Sequence, residues 1–117
     1  MNTQLLVSIK RHSKKTQYIK TIQFPVDSKL LTIGERAFYR SQIECISIPV
    51  NLQEIHEEAF FYCEKLHKIN IPINSKLQLI GRNAFIGCSF ECINIPSSLI
   101  KIDKRAFYFC YQLKQVH

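Results

Sequence analysis

The prolines of this chain recur at an almost constant spacing, which constrains its fold more than any other feature. They stand at positions 25, 49, 72 and 96, so successive prolines are 24, 23 and 24 residues apart. Each ends the same phrase, an apolar residue followed by x-x-Ile-x-Ile-Pro or a close variant, at residues 19–25, 43–49, 66–72 and 90–96, and a further phrase starts at Leu113. One such repeat cannot bury its apolar face alone, but stacked copies can, so the spacing predicts a solenoid.

The residues between the prolines repeat as well. Each proline is followed by a Leu and an Ile three residues apart, then by an Ala-Phe pair, then by a small residue three positions later. The Leu/Ile pairs are Leu30/Ile33, Leu52/Ile55, Leu77/Ile80 and Leu99/Ile102, the Ala-Phe pairs lie at 37–38, 59–60, 84–85 and 106–107, and the small residues are Ser41, Cys63, Cys88 and Cys110. We expect these side chains to point inward and to stack on their counterparts about 4.8 Å away.

The repeats alternate between two lengths. The Ala-Phe pairs are 22, 25 and 22 residues apart, which indicates a double unit of 47 residues. Residues 27–41 and 74–88 match at seven of fifteen positions, as a tandem duplication of a two-repeat block would leave them.

Each part of the repeat predicts a local structure. The Ile-x-Ile before each proline is β-branched with period two, which is typical of a short strand, and proline ends the ladder because it lacks an N–H group. Stacked copies predict a parallel sheet of four or five short strands. Gly34, His56, Gly81 and Asp103 follow the second Ile, and they predict a tight turn with positive φ. The opposite side is expected to carry irregular turns or a single helical turn around Ala-Phe.

The full pattern, I-x-I-P followed by L-x-x-I-G-x-x-A-F-x-x-C-x-x-L, resembles the BspA-type leucine-rich repeat over residues 19–116. The departures are mild: Ser41 for Cys, Phe24 for Ile, and His56 and Asp103 for Gly. The resemblance implies an α/β-type repeat solenoid that is mostly β, a right-handed arc with a concave parallel sheet. It also implies adhesion or protein recognition, often as a surface antigen of bacteria or parasitic protists, and it brings no catalytic motif.

The basic residues are concentrated near the start of the chain. Of the net charge of +7, five basic residues and no acid fall in residues 1–20: Lys10, Arg11, Lys14, Lys15 and Lys20. The rest of the chain holds 11 basic and 9 acidic residues. We therefore divide the chain into a basic N-terminal arm or cap, residues 1–18, and one domain of four repeats, residues 19–117. The arm is either a solvated loop or a contact for phosphate or an acidic surface.

The opening residues bear on location. In MNTQLLVSIKRHSKK the apolar run is too short for a signal peptide, and the basic residues follow it instead of preceding it. No apolar run approaches the roughly 18 residues of a membrane-spanning helix. The sequence thus predicts a cytoplasmic protein without a transmembrane segment, whereas the family resemblance implies that a cell-surface location is possible.

The cysteines and histidines do not form a recognisable catalytic or metal site. Cys63, Cys88 and Cys110 share one repeat position, which predicts a buried ladder of small side chains, although neighbouring rungs would allow a disulfide. Cys45 and Cys92 face outward about 9–10 Å apart, too far for a bond. The segment HEEAF at 56–60 lacks the second His of a zinc protease, and IGRNAF at 80–85 lacks the Gly-Lys of a P-loop. We therefore predict no enzymatic activity, no cofactor and no metal.

The concave face is the candidate binding surface, because side chains alternate along each strand. The positions four and two before each proline should point outward: Thr21, Gln23, Cys45, Ser47, Lys68, Asn70, Cys92, Asn94, Gln115 and His117. Those proposed to contact a partner are Thr21, Gln23, Ser47, Lys68, Asn70, Asn94 and Gln115, which we call the binding face. It is polar, with little charge and no aromatic residue. It suits a polypeptide or sugar, or equally a solvated surface without a partner, and it makes nucleic acid an unlikely ligand.

Self-assembly is an alternative function. Six aromatic residues flank the Ala-Phe pairs on the side opposite the binding face: Tyr39, Phe61, Tyr62, Tyr108, Phe109 and Tyr111. They belong either to the core or to an exposed strip that joins a second copy in a homo-oligomer. An open last rung would leave an unpaired sheet edge that favours end-to-end association. Three functions thus remain open: a protein-interaction or adhesion module, a self-assembling repeat unit, and binding of an anionic surface through the basic arm.

Overall fold

The structure, a computed structural model, describes residues 20–116. It contains nine short strands and, within this range, no helix. The strands are β1 (Thr21–Ile22), β2 (Thr32–Ile33), β3 (Cys45–Ser47), β4 (Glu54–Ile55), β5 (Lys68–Asn70), β6 (Leu79–Ile80), β7 (Cys92–Ile93), β8 (Lys101–Ile102) and β9 (Gln115–Val116). Each of the first four turns of the coil, here called rungs, contributes one odd-numbered and one even-numbered strand, and β9 belongs to a fifth.

All strand pairs are parallel, as a solenoid requires. The odd-numbered strands form a row in which β1, β3 and β5 pair in that order and β7 pairs with β9. The even-numbered strands form a separate sheet in the order β2-β4-β6-β8. Residues at the same repeat position face one another, as in the partners Ile22, Ile46 and Ile69. The predicted fold class, a mostly β repeat solenoid, is confirmed.

The four-stranded sheet of even-numbered strands was not predicted from the sequence. Only turns or a helical turn were expected opposite the binding face, because two residues are too few to show a strand periodicity. The backbone nevertheless pairs between rungs here: Gln53 N–H donates to Leu31 O at 2.8 Å and His56 N–H to Ile33 O at 2.9 Å. Ile33, Ile55 and Ile80 point from this sheet into the core and are fully buried, as predicted.

A column of phenyl rings runs through the centre of the core. The rings of Phe38, Phe60, Phe85 and Phe107 are stacked, with successive centroids 5.2, 5.0 and 5.5 Å apart and interplanar angles of 9°, 5° and 5°. Phe60 and Phe85 are fully buried. The inward stacking expected for the Ala-Phe pairs is therefore present, and each ring contributes both its buried area and a favourable offset-stacked contact.

The small residue after each Ala-Phe pair has a specific bonding role. The thiol of Cys63 donates to Phe38 O at 2.8 Å, that of Cys88 to Phe60 O at 3.3 Å and that of Cys110 to Phe85 O at 3.0 Å. Each thiol thus gives a carbonyl of the preceding rung a second hydrogen bond, because the same carbonyls also accept the N–H groups of Ser41, Cys63 and Cys88 at 3.0, 3.2 and 3.2 Å. The predicted cysteine ladder is present, and all five cysteines are free.

The prediction of positive φ at Gly34, His56, Gly81 and Asp103 was wrong. The left-handed residues lie two positions later, at Arg36, Glu58, Asn83 and Arg105, and again at Arg40, Tyr62, Gly87 and Phe109. The physical reason is visible in the first rung, where Ala37 N–H donates to Gly34 O at 3.2 Å. Gly34 therefore begins a four-residue turn, and a turn of type II has its positive φ at the third residue. The irregular turns expected around Ala-Phe are present, without a helical turn.

These turns also join the rungs. Arg36, Phe38 and Arg40 donate their N–H groups to Glu57 O, Ala59 O and Phe61 O of the next rung, at 3.2, 2.7 and 2.8 Å. The second and third rungs repeat the pattern. Each interface between rungs therefore has a line of hydrogen bonds beside the phenyl stack, on the side where no strand is present. Rigid backbone pairing on several sides of the coil holds the odd-numbered row in place.

Replacing a ring in the middle of the column should be costly. We expect Phe60→Ala and Phe85→Ala each to lower the free energy of unfolding by about 3–5 kcal/mol, because each leaves a cavity between two rings. Urea unfolding followed by circular dichroism measures this loss. Tyr111→Ala is the matched control, since this ring is 83% exposed, and it should change stability by no more than about 0.5 kcal/mol. A loss below about 1 kcal/mol at both core positions would contradict the packing described.

Candidate binding face

The structure places the predicted binding face on the odd-numbered strands. Thr21, Cys45 and Lys68 occupy one register position across β1, β3 and β5, and Cys92 faces Gln115 across β7 and β9. Of the seven binding-face residues only Ser47 is half-buried, and the other six are exposed. Ile46 and Ile93, between the outward positions, are buried. The alternation expected from the sequence therefore holds, whereas the binding role of these residues stays a prediction. His117 lies outside the described residues.

The face is polar and partly linked across strands. Asn70 Nδ2 donates to Ser47 Oγ at 3.1 Å, which ties β5 to β3 through side chains. Lys68 is the one charged residue among the seven. An amide- and hydroxyl-rich surface on rigid strands offers directional hydrogen bonds, and it offers little apolar area for a small hydrophobic ligand.

The row is interrupted between β5 and β7, a feature the sequence analysis did not predict. At the other interfaces a backbone N–H of the later strand donates to the earlier one: Cys45 to Lys20 O at 3.1 Å, Lys68 to Glu44 O at 3.4 Å and Gln115 to Glu91 O at 3.3 Å. Within residues 20–116, the Cys92 N–H has no such bond, and β5 and β7 belong to separate sheets. The row is therefore split after its third strand.

A cleft of about 710 Å³ occupies the interruption. Its walls are His67, Lys68 and Asn70 on one side and Glu91, Cys92 and Asn94 on the other, and Ile69 and Ile93 also line it. The rungs stay joined just before the cleft, where Ser89 N–H donates to Leu66 O at 2.8 Å and the Ser89 hydroxyl donates to Glu64 O. The cleft thus begins directly after the hydrogen bonds of Ser89. Its lining includes three binding-face residues: Lys68, Asn70 and Asn94.

Phe90 gives a physical reason for the interruption. It fills the first apolar position of its strand phrase, where Ile43, Leu66 and Leu113 are aliphatic. Its ring is fully buried and meets Phe85 edge-on, with centroids 5.5 Å apart and an interplanar angle of 70°. A ring that stands edge-on to its neighbour needs more space along the solenoid axis than an aliphatic side chain. We therefore attribute the separation of β5 and β7 to Phe90. His67 and Glu91 were missed as site residues, and the aromatic at position 90 was the signal that could have indicated them.

Charged residues near the turns pair between rungs. Arg36 Nε donates to Glu58 Oε1 at 2.6 Å, and Arg82 Nε donates to Glu57 Oε1 at 2.8 Å. These hydrogen bonds raise the pKa of Arg36 and of Arg82. His56 Nε2 lies 2.7 Å from Glu54 Oε1. The acids of HEEAF thus serve contacts between or within rungs, and residues 20–116 contain no group of three or more side chains that could hold a metal ion.

The ladder thiols are poor nucleophiles. Burial raises the pKa of Cys63 to about 12, and burial likewise raises the pKa of Cys88 and of Cys110. A thiol is reactive as the thiolate, so these three are inert at neutral pH. Cys92 is exposed and Cys45 half-buried, both on the odd-numbered row as predicted.

The flanking aromatic residues divide into two groups. Tyr39 and Phe61 are half-buried and stacked, with centroids 4.8 Å apart. Tyr108, Phe109 and Tyr111 in the last rung are exposed by 47%, 38% and 83%. Arg105 lies over the Tyr108 ring, 5.3 Å from its centroid. The strip expected from the sequence is therefore packed at one end and exposed at the other.

The basic arm, residues 1–18, lies outside the described residues. Lys20, which follows the arm, is described, and its Nζ lies 4.0 Å from Glu44 Oε2 on an exposed surface. The hypothesis that the arm binds an anionic surface stays a prediction. In the part of the chain that the structure covers, there is no helix of the length and apolarity that a membrane span needs.

Comparison with known proteins agrees with this architecture. Residues 3–117 match the BspA type leucine rich repeat region in six copies. A crystal structure of a leucine-rich repeat protein from Bacteroides capillosus is similar, with a TM-score of 0.70 and 26% identity over 83% of this chain and 75% of that one. Another, from Bacteroides ovatus, has a TM-score of 0.56 and 29% identity over 83% of this chain and 33% of that one. A search of curated proteins finds no match.

The protein therefore belongs to the BspA-type leucine-rich repeat family. This membership supports a repeat module for protein interaction. The chain spans about a third of the Bacteroides ovatus protein, so what that whole protein does is not transferred to it.

The buried thiols make stability sensitive to alkaline pH. In the unfolded chain a thiol ionises near pH 9.0, whereas Cys63 in the folded chain ionises at about 12. Between these values the unfolded state binds fewer protons, so the free energy of unfolding falls as pH rises, by about 1.4 kcal/mol per pH unit for each buried thiol. Cys63→Ser removes one contribution, and urea unfolding between about pH 9 and about pH 11 should show a shallower decline.

Cys92→Ser is the matched control, because it removes a thiol that is exposed in the folded chain. Its decline with pH should equal that of the wild-type chain. Equal slopes for the Cys63 and Cys92 variants would show that the ladder thiol is not protected from ionisation, contrary to the packing described.

Proposed function

We propose that this protein is a non-enzymatic interaction module that binds a polypeptide partner through its binding face. The observation that carries the proposal is the row of outward polar side chains that the odd-numbered strands hold in register on either side of the interruption between β5 and β7. Because the rungs are joined by backbone bonds and by the phenyl column, these side chains are positioned before binding, which lowers the entropy cost of association. Lys68, Asn70 and Gln115 donate or accept hydrogen bonds to the partner in this proposal.

Adhesion at a cell surface is the specific role we propose within this class, and it rests on the family and not on the site. A cytoplasmic location is the alternative. Both locations are compatible with a binding face that recognises protein. The partner's own location decides between them, so the experiment below uses separate surface and cytosolic extracts.

Self-association is the second candidate function. Its support is the last rung, where Ile102 is 44% exposed while its counterparts Ile33, Ile55 and Ile80 are fully buried. Tyr111, after the Ala-Phe pair that follows β8, is also exposed, by 83%. A second copy stacked on this rung would bury these side chains, a gain of roughly 25 cal/mol per Å² of apolar area.

A comparative pull-down tests the proposal. The wild-type chain should retain a partner that Lys68→Ala/Asn70→Ala/Gln115→Ala loses by at least tenfold, because three hydrogen-bonding groups leave the interface. The matched control carries Thr32→Ala/Gln78→Ala/Lys101→Ala, two positions on the even-numbered sheet and one directly before β6, and should retain the partner. The amount of partner recovered from each extract is measured by quantitative mass spectrometry.

The remaining outcomes have separate meanings. A partner lost by the control and kept by the binding-face variant would contradict the proposal and move the site to the other sheet. Recovery of further copies of this chain alone, with light scattering that rises with concentration, would replace it with self-association. A partner released by moderate salt from all three chains would favour the basic arm.

A further inference from the structure

The cleft between β5 and β7 presents two strand edges with which no strand among residues 20–116 pairs. On β5, Lys68 N–H and Asn70 C=O bond toward β3, the former to Glu44 O at 3.4 Å and the latter from Ile48 N–H at 2.9 Å. Backbone groups alternate in direction along a parallel strand. The N–H and C=O of Ile69 therefore point the other way, into the cleft.

The facing edge on β7 follows the same rule. Glu91 C=O accepts from Lys114 and Gln115 N–H at 2.8 and 3.3 Å, so it points toward β9. By alternation, the N–H and C=O of Cys92 point toward β5, where no backbone partner meets them among residues 20–116. The cleft thus has a backbone donor and acceptor on each wall.

From these edges we infer that the cleft binds an extended polypeptide segment of a partner protein, which pairs through its main chain with β5, β7 or both. This inference deepens the proposed function and rests on it. A strand edge is complementary to another extended chain, which satisfies its donors and acceptors in register. The volume of about 710 Å³ lies in the range of sites that enclose a ligand.

The side chains around the cleft define the chemistry of the segment. Ile69 and Ile93 lie between the outward positions and receive an apolar side chain from the segment. Lys68 stands at the mouth on the β5 wall and Glu91 on the β7 wall, both exposed. A segment with an acidic residue toward Lys68 and a basic residue toward Glu91 is complementary in charge to the cleft. Alternating apolar and polar residues in the segment match the alternation of side chains along an extended strand.

Phe90 keeps the cleft open in this account, and it supplies the test variant. Phe90→Leu restores the aliphatic residue found at Leu66 and Leu113, which allows β7 to approach β5 and pair with it. Pairing of β7 with β5 would occupy the backbone donors and acceptors with which the segment would pair. The variant therefore blocks binding without removing a side chain from the walls of the cleft.

The experiment uses a random dodecapeptide library displayed on phage as the probe. Peptides selected on the wild-type chain are synthesised, and their affinity is measured by fluorescence polarisation. We expect Phe90→Leu to weaken binding at least tenfold. Ile43→Leu, at the same repeat position between paired strands, is the matched control and should leave the affinity unchanged. Urea unfolding confirms that both variants fold.

A second measurement tests main-chain pairing on the wild-type chain and does not depend on any variant. The selected peptides are resynthesised with N-methyl groups at alternate residues, which remove the N–H groups of one edge. One of the two alternating sets should reduce affinity at least tenfold, while the other leaves it nearly unchanged. Equal affinity for both methylated sets and the parent peptide would overturn the inference.

Three further outcomes separate the cleft from the rest of the binding face. Thr21→Ala/Gln23→Ala changes the face on the first rung, away from the cleft. Binding that is lost in that variant but kept in Phe90→Leu would overturn the inference about the cleft and leave the proposed function standing. Binding that is unchanged in both variants would overturn the inference that the cleft binds the peptide, and it would also count against the binding face. A wild-type dimer that Phe90→Leu abolishes would show that a second copy occupies the cleft, which also overturns the inference.

Discussion

The contact between one phenyl ring and the next, along the column from Phe38 to Phe107, is the interaction on which the other elements depend. No strand among residues 20–116 exceeds three residues, and strands this short are not stable without packing against a core. The column supplies that packing between the four rungs that carry its rings, and the thiols of Cys63, Cys88 and Cys110 add hydrogen bonds beside it. Backbone pairing then needs only to fix the register, which it does through both strand rows and the turn segments.

The same dependence explains why a single residue can divide the odd-numbered row. Rungs separated by a flat stacked ring stay close enough to pair their strands. At the fourth rung an additional aromatic residue, Phe90, enters the stack edge-on against Phe85, with an interplanar angle of 70°. The even-numbered sheet and the turns remain paired across this interface, so the separation is confined to β5 and β7. The edge-on packing of Phe90 thus creates a cleft within an otherwise regular surface. The cleft coincides with the middle of the predicted binding face.

The core and the outward row were predictable from the sequence because their patterns repeat in register. The four phrases that end in proline and the further phrase at Leu113 located the five odd-numbered strands, and the Ala-Phe pairs located the column. The even-numbered sheet was not predictable, since two residues such as Thr32 and Ile33 carry no period. The sequence analysis placed positive φ values at Gly34 and Gly81 because glycine adopts positive φ readily. At Gly81 the requirement is space, as an added Cβ would lie 2.9 Å from Glu57 N. The cleft depends on ring orientation at Phe90, which composition at one position does not determine.

Hydrogen exchange of individual backbone amides, followed by NMR, tests the central claim that stacked rungs form a row interrupted at Phe90. Cys45, Lys68, Cys92 and Gln115 share one repeat position, and the first two and the last donate to a preceding rung. The account predicts strong protection at Cys45 and Lys68, and rapid exchange at Cys92 despite its place in the interior of the chain. It also predicts that Phe90→Leu slows exchange at Cys92 to the level of Lys68. Equal protection of Cys92 and Lys68 in the wild-type chain would contradict the account.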